Sequence, residues 1–255
     1  MGAIESLAAV FGLAFLRYLP PIALPAFTPL RWAPPLVRIV LALGLAWLTV
    51  LALPASSMSA VQQPQFNWVA AAIGELSVGL VFGLVLMLPQ AALHVAGWLV
   101  DVQAGLSAAT LFNPGAQGEA QSMIGAALGL LGTVLFFVLD LHLELYQALV
   151  ASSMVLPLGQ GGVRLDASAF FSLLGSSFLL GLAVVMPVVV ALFAVDVGVA
   201  YATRAMPQAN VYFLVLPLKI IVALLLMVVV LPFVPALLQR LYQDAFARVP
   251  TLLGA

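Results

Sequence analysis

Cysteine is absent from this chain of 255 residues, and charged residues make up only 7% of it. Without cysteine the chain can have no disulfide, no thiolate metal ligand and no cysteine nucleophile. Soluble domains carry about 25% charged residues, so a protein that faces water on all sides is excluded. The net charge of −1 provides no basic surface, and we expect no nucleic-acid partner.

Sequence motifs typical of enzymes are also lacking. The chain has two histidines, and His142-Leu143-Glu144 does not match the H-E-x-x-H pattern of zinc proteases. It has no G-x-S-x-G elbow and no Walker loop. Asp196 lacks a second aspartate segment of the kind that intramembrane aspartyl proteases use. We therefore predict a protein that is not an enzyme and that has no metal or other cofactor.

Apolar residues, in contrast, make up 65% of the chain, and its mean hydropathy is +1.23. A spanning helix needs about 20 mostly apolar residues, and the runs lack the alternation of outer-membrane strands. The sequence thus predicts an all-α integral membrane protein that forms a single unit, with its amino-terminal run kept as a mature segment. The predicted helical segments are 7–22, 37–53, 68–99, 122–139, 141–156, 170–202 and 211–231, followed by an amphipathic tail at 239–248.

Proline and glycine are expected to shape these helices into kinked and broken ones. The pair Pro20-Pro21 ends the first run, Pro89 is predicted to interrupt the third, and Pro187 is predicted to kink the sixth. Small residues spaced four apart predict close contacts between helices. Two such patterns are present, Gly79-x-x-x-Gly83 and Gly125-x-x-x-Gly129.

A polar link at 204–219 separates the last two apolar runs. Arg204 and Lys219 bracket it, in a chain with eight basic residues. Pro207 and Pro217 are predicted to stop a helix from running through the link. The excess of positive charge in cytoplasmic loops predicts that the link lies in the cytoplasm.

Six charged residues lie within or beside the apolar runs: Arg17, Glu75, Asp101, Asp140, Glu144 and Asp196. Facing lipid, each would cost about 2.5–3.5 kcal/mol, so each is expected to face protein or water. They could form a proton or ion relay, or they could pair between helices or between subunits. We favour pairing, with Asp140 and Glu144 sharing a helix face and repelling each other. A cation from another subunit would then neutralise them.

Three stretches, in their order and spacing, resemble the FliR family of type III export-apparatus proteins. The first holds Phe15-Leu16-Arg17, Pro25-Ala26-Phe27 and Val37-Arg38-Ile39. The second holds Gln103-Ala104-Gly105-Leu106-Ser107 and Phe112-Asn113-Pro114. The third holds Pro207-Gln208-Ala209-Asn210-Val211 and Leu216-Pro217-Leu218-Lys219.

The resemblance implies a single-copy subunit of a helical hetero-oligomeric gate in the bacterial inner (cytoplasmic) membrane. That gate would lie at the flagellar basal body or at the base of a secretion system. The implied partners are FliP-type and FliQ-type subunits, an FlhB-type switch protein, membrane lipids, and unfolded export substrates in transit. Residues 1–165 would resemble the FliP-type partner, and 166–255 would form a hairpin resembling the FliQ-type partner.

The resemblance also implies two functional regions. The first is a pore-plug loop, in which Leu111 and Phe112 would supply bulk and exclude water from a narrow lumen. Its residues are Gly105, Leu106, Ser107, Leu111, Phe112, Asn113 and Pro114. The second is a cytoplasmic hairpin tip, with Arg204, Pro207, Gln208, Asn210, Pro217 and Lys219.

Two other functions stay open at this point. Within the family, the wording of the third stretch favours a flagellar protein, and the alternative is the injectisome homologue. From another class, a secondary transporter could use broken helices near Pro89 and Pro187 at a substrate site. Its ionisable groups would be Glu75, Asp101 and Asp196.

Overall fold

A computed structural model of the protein describes residues 3–53, 66–106, 122–159, 166–205 and 211–252. Every regular element in these ranges is helical, so the predicted all-α fold is confirmed for them. The elements are α1 (Ala3–Ala23), α2 (Pro35–Ala52), α3 (Trp68–Ala104), α4 (Met123–Val138), α5 (Leu141–Val155), α6 (Ala167–Ala205), α7 (Val211–Val230), a 3-10 turn (Leu231–Phe233), α8 (Val234–Ala247) and α9 (Val249–Leu252).

Five of the described helical stretches are long and apolar enough to cross a membrane. They are α1, α2, α3, α6 and the run Val215–Ala247, and the bent pair of α4 and α5 is a sixth candidate. Large apolar side chains such as Leu36, Leu51 and Val228 are exposed along these helices. Exposed apolar surface of this extent is favourable in contact with lipid chains but unfavourable in contact with water. The prediction of a helical membrane protein is therefore confirmed.

Prolines interrupt the helices less than the sequence predicted. Pro89 lies inside α3, Pro217 lies inside α7, and α1 continues through Pro20-Pro21. The predicted interruption at Pro89 and the predicted stop at Pro217 are therefore wrong. A proline removes one backbone hydrogen bond, and in membrane proteins neighbouring helices and local adjustments compensate for that loss. Pro187 also lies inside a helix, α6, and the kink expected there stays a prediction.

The chain bends between α4 and α5 at Asp140, whose φ of 56° is left-handed. Aspartate adopts this conformation more readily than most residues. The Asp140 carbonyl accepts a hydrogen bond from the Leu143 N–H at 2.9 Å, so Asp140 precedes α5. The prediction that Asp140 and Glu144 repel on one helix face is wrong, because Asp140 lies outside the helix. Glu144 instead accepts a hydrogen bond from Gln243 at 3.3 Å.

The chain folds into two compact units. Unit 1 comprises Met1–Leu88, Phe136–Gly175 and Tyr242–Ala255, and unit 2 comprises Pro89–Leu135 and Ser176–Leu241. These units are defined by packing, whereas the division expected from the sequence, 1–165 and 166–255, follows likeness to partner proteins. That division stays a prediction.

In unit 1, α1 packs against both α2 and α3. The Tyr18 and Thr49 hydroxyls are 2.6 Å apart and share a hydrogen bond between α1 and α2. On α3, a Cβ added at Gly79 would collide with the Arg17 carbonyl of α1. One at Gly83 would lie 2.9 Å from the Phe27 ring. Both glycines of the first small-residue pattern therefore lie at a close contact, as predicted.

In unit 2, α3 packs closely against α4. A Cβ at Gly97 would lie 2.5 Å from the Gly125 backbone, while Gly129 has nothing within 4 Å of its Cβ position. Only Gly125 of the second small-residue pattern therefore marks a contact. The Gln90 side chain adds a hydrogen bond of 2.8 Å to Thr133, which again joins α3 to α4.

Candidate functional site

The candidate site lies in unit 2, where α3 ends and α4 begins, on either side of residues 107–121. Helix α3 ends in a Schellman motif, with the Leu106 N–H bonded to the Asp101 carbonyl at 3.0 Å. The Gly105 N–H bonds the Val102 carbonyl at 3.2 Å. Gly105 has a φ of 80°, which the motif requires and which glycine adopts without strain. The end of α3 is thus fixed by local backbone chemistry.

Asp101 joins this end of α3 to the start of α4. Its side chain is buried, and its carboxylate accepts hydrogen bonds from the Ser122 hydroxyl and, at 3.1 Å, from the Ile124 N–H. The Ser122 oxygen in turn accepts the Gly125 N–H at 2.7 Å, so Ser122 is the N-cap of α4. The positive end of the α4 dipole stabilises a carboxylate at this place. Asp101 thus connects the end of α3 at residue 106 to the start of α4 at residue 122.

Asp196, on α6, connects the same end of α3 to α7. Its carboxylate lies 2.8 Å from the Lys219 ammonium group, and it accepts a hydrogen bond of 3.2 Å from the Gln103 side chain. The Asp196 side chain is 40% exposed and that of Lys219 is 15% exposed. One turn before Lys219, the Leu216 side chain covers Gly105, and a Cβ there would lie 2.8 Å from it. We call Gln103, Asp196 and Lys219 the α3-end latch.

A second polar cluster lies in unit 1 around Arg17, which is almost wholly buried with its partner Glu75. The Arg17 Nε donates to Glu75 at 2.6 Å, and the guanidinium also reaches the Ser152 hydroxyl at 3.0 Å and the Leu156 carbonyl at 3.0 Å. The other Glu75 oxygen accepts the Gly159 N–H at 2.9 Å. A buried charge without such partners would be strongly unfavourable. We call these residues the Arg17 cluster.

Four of the six charges singled out from the sequence have charged or hydrogen-bonding partners in these two units. Arg17 and Glu75 pair with each other, Asp196 pairs with Lys219, and Asp101 is bound by hydroxyl and backbone N–H groups. For these four charges, the partners are residues of the same chain. Contacts of these charges with partner subunits stay a prediction.

The residues of the expected hairpin tip are only partly described. Arg204 is exposed in the last turn of α6. Lys219 was expected to border a surface link, and that expectation is wrong, because it lies inside α7 and pairs with Asp196. Pro217 likewise lies within α7. The other three tip residues, Pro207, Gln208 and Asn210, lie outside the described residues.

The expected plug loop is also only partly described. Gly105 and Leu106 end α3 as described above, while five of its residues lie outside the described ranges: Ser107, Leu111, Phe112, Asn113 and Pro114. The sequence reasoning missed Ser122 as an N-cap, although a serine directly before an apolar run is a signal for one. Among the described residues, no three His, Asp or Glu side chains lie close enough together to hold a metal ion.

These helices and paired charges define the class of the chain as a multi-span helical membrane protein. Residues 8–245 match the family described as "Bacterial export proteins, family 1", and the chain belongs to that family. The resemblance to FliR proteins that the sequence indicated is confirmed.

Individual relatives agree with the family match. The chain is 28% identical over 209 residues to the flagellar biosynthetic protein FliR of Escherichia coli (strain K12), covering 80% of this chain and 78% of the relative. It is 30% identical over 176 residues to FliR of Aquifex aeolicus (strain VF5), covering 69% and 67%. It is also 30% identical over 158 residues to the Yop proteins translocation protein T of Yersinia pestis, covering 61% and 60%.

Proposed function

We propose that this chain is a single-copy subunit of a flagellar type III protein export gate in the bacterial inner membrane. Together with FliP-type and FliQ-type subunits it forms the pore through which unfolded export substrates pass. The observation that carries the proposal is the family match over residues 8–245. The flagellar assignment is supported by the FliR relatives, of which the Escherichia coli protein is covered to 78%, against 60% for the Yersinia pestis translocation protein.

The carboxy-terminal part, 166–255, acts in this proposal as the hairpin that resembles the FliQ-type partner. Helices α6 and α7 are the two arms of the hairpin, and both present large exposed apolar side chains, such as Phe193 and Leu225. Such arms suit packing against neighbouring membrane helices as well as lipid. Arg204 is exposed at the end of α6, and in this proposal it contacts the FlhB-type switch protein on the cytoplasmic side.

The segment 105–121 serves in this proposal as the pore plug. Support comes from its two flanks, because Asp101 holds the end of α3 and the start of α4 to one polar cluster. A segment held at both ends can occupy a lumen without leaving it. Leu111 and Phe112 supply the apolar bulk that excludes water from a constriction.

The assembly is tested by native mass spectrometry of the detergent-extracted complex, with the FliP-type and FliQ-type partners co-expressed. We expect one copy of this chain within a large hetero-oligomer. A chain that is extracted as a stable monomer or homodimer in the presence of both partners would overturn the proposal.

The plug is tested by deleting residues 110–116 in the assembled gate. We expect an ion leak across the membrane with assembly intact, because the apolar bulk is removed while the Asp101 contacts remain. A deletion of equal length at 56–62 is the matched control and should leave conductance unchanged. Unchanged conductance of a confirmed assembled complex lacking 110–116 would exclude the plug.

A further inference from the structure

Three helices meet at one carboxylate in unit 2. Asp196 on α6 is bonded by Lys219 of α7, with its two oxygens at 2.8 and 3.1 Å from the ammonium group. The oxygen at 3.1 Å also accepts from Gln103 of α3, at 3.2 Å. The charge of Asp196 is neutralised by Lys219. Gln103 adds only a hydrogen bond from an uncharged side chain, and the ion pair is complete without it. The link to α3 can therefore open without leaving an unpaired charge.

The exposure of the latch also indicates that the hydrogen bond between Gln103 and Asp196 can open. The Asp196 side chain is 40% exposed, so another hydrogen-bond donor can reach it and replace the Gln103 amide. Partly exposed polar contacts of this kind are weak and easily exchanged. In contrast, the other polar contacts of the α3 end, from Ser122 and Ile124 to Asp101, are buried. The Gln103 contact is thus the replaceable one at this end of α3.

A second contact ties the same end of α3 to α7. Leu216 lies over Gly105, one helical turn from Lys219, so the apolar and the charged contact come from one face of α7. Asp196 precedes Arg204 by eight residues on α6, which corresponds to about 12 Å along the helix axis. Continuous turns of α6 therefore connect the exposed Arg204 end of this helix to the latch.

We propose that the α3-end latch couples the α6–α7 hairpin to the end of α3. Gln103 is a positioning residue. When the hairpin shifts, the hydrogen bond from Gln103 to Asp196 breaks, while the Asp196–Lys219 ion pair stays intact. The remaining polar contacts of the α3 end described above are then those of its own Schellman motif and of Asp101. The role of this coupling in export depends on the proposed function, but the contact itself does not.

The test uses the full chain in its assembled complex and measures amide hydrogen exchange in peptides covering 101–106. We expect Gln103→Leu, which keeps side-chain size but has no donor, to speed exchange of the Gly105 and Leu106 amides about threefold or more. Asp196→Asn keeps an acceptor oxygen and should have a smaller effect of the same sign. The matched control is Gln90→Leu, which removes an α3 glutamine bonded to Thr133 at 2.8 Å and should leave exchange at 101–106 unchanged.

A second readout separates positioning from simple loss of structure. We expect Gln103→Leu to lower the export rate per assembled complex about threefold or more, with accumulation of the complex unchanged, and Gln90→Leu to leave the rate as in wild type. Exchange at 101–106 that is the same in Gln103→Leu and wild type would overturn the latch, whatever the protein exports. A wild-type complex that assembles but exports nothing would instead overturn the proposed function, leaving the exchange result to decide the latch.

Discussion

The Arg17 cluster of unit 1 and the α3-end latch of unit 2 both contain an ion pair between helices, but the two pairs differ in enclosure. The side chains of Arg17 and Glu75 are 1% and 3% exposed, whereas those of Lys219 and Asp196 are 15% and 40% exposed. Arg17 also donates to three further groups, which are the Ser152 and Ser153 hydroxyls and the Leu156 carbonyl, and Glu75 accepts a backbone N–H as well. Asp196 has one neutral side chain in addition to its cation.

This difference separates a structural charge pair from an adjustable one. An enclosed pair cannot lose a partner without leaving a buried charge, which is strongly unfavourable. A partly exposed pair gains less when formed and loses less when broken, because water screens it. We therefore expect substitutions in the Arg17 cluster to affect folding, and substitutions in the latch to affect function at nearly constant stability.

The largest expected effect is that of Arg17→Met. It leaves the Glu75 carboxylate buried with the Gly159 N–H as its remaining partner, and breaking such a pair destabilises by about 3–5 kcal/mol. We expect little folded chain in the membrane, measured as the yield and thermal stability of the assembled complex. The double variant Arg17→Met/Glu75→Leu removes both charges and should recover most of the yield. An equally low yield of the double variant would show that the charge pair is not the cause.

Gly159→Ala should have an intermediate effect on the same cluster. Gly159 has a φ of 86°, and an added Cβ would lie 2.8 Å from the Phe66 ring. A left-handed conformation costs other residues about 1–2 kcal/mol, and the N–H to Glu75 would be displaced. The control is Gly44→Ala in α2, where nothing lies within 4 Å and helix propensity gains up to about 1 kcal/mol. Thermal unfolding that ranks the two variants in the opposite order would contradict this reading of the turn.

A smaller effect on stability is expected for Lys219→Met in the latch. Because this pair is less enclosed than the Arg17–Glu75 pair, losing the cation should cost less than the loss of Arg17. The same thermal measurement should place this variant much closer to wild type than Arg17→Met. A loss as large as that of Arg17→Met would remove the distinction between the two pairs.

The smallest effect is expected at Asp166, a fully exposed carboxylate before α6. Hydrogen bonds from the Ser168 hydroxyl at 2.7 Å and the Ser168 N–H at 2.8 Å lower the pKa of Asp166 below its ordinary value. A lowered pKa in the folded state stabilises at neutral pH, and the contribution is lost as the pH falls through that pKa. Asp166→Asn should therefore be slightly less stable than wild type at neutral pH, and the difference should vanish in acid. A difference that grows in acid would contradict this sign.

The positions of the helices could be predicted from the sequence because they depend on local runs of apolar residues. The predicted segment 141–156 is observed as Leu141–Val155, and 211–231 is observed as Val211–Val230. The prolines within helices were misjudged, since their effect is set by the surroundings rather than by the neighbours in sequence. Pro217 lies in α7 without ending it.

The partners of the charges could not be predicted, because they are distant in sequence. Glu75 is 58 residues from Arg17, and no local pattern joins them. Lys219 looked like the border of a loop because a proline and polar residues precede it. Its pairing with Asp196 depends on how α6 and α7 lie side by side, which residue spacing alone does not fix. The identity of the charged positions was thus predictable, and their pairing was not.

The positions of the Arg17 cluster in the sequence also determine when this cluster can form during translation. Arg17 is made early, but its acceptors at Ser152 and Leu156 follow 135 and 139 residues later. At synthesis rates of about 5–20 residues per second, this interval is roughly 7–28 s. During that time the guanidinium has neither of these partners, so the Arg17 cluster is incomplete. The Arg17 cluster on α1 is therefore completed only after the end of α5 has been synthesised.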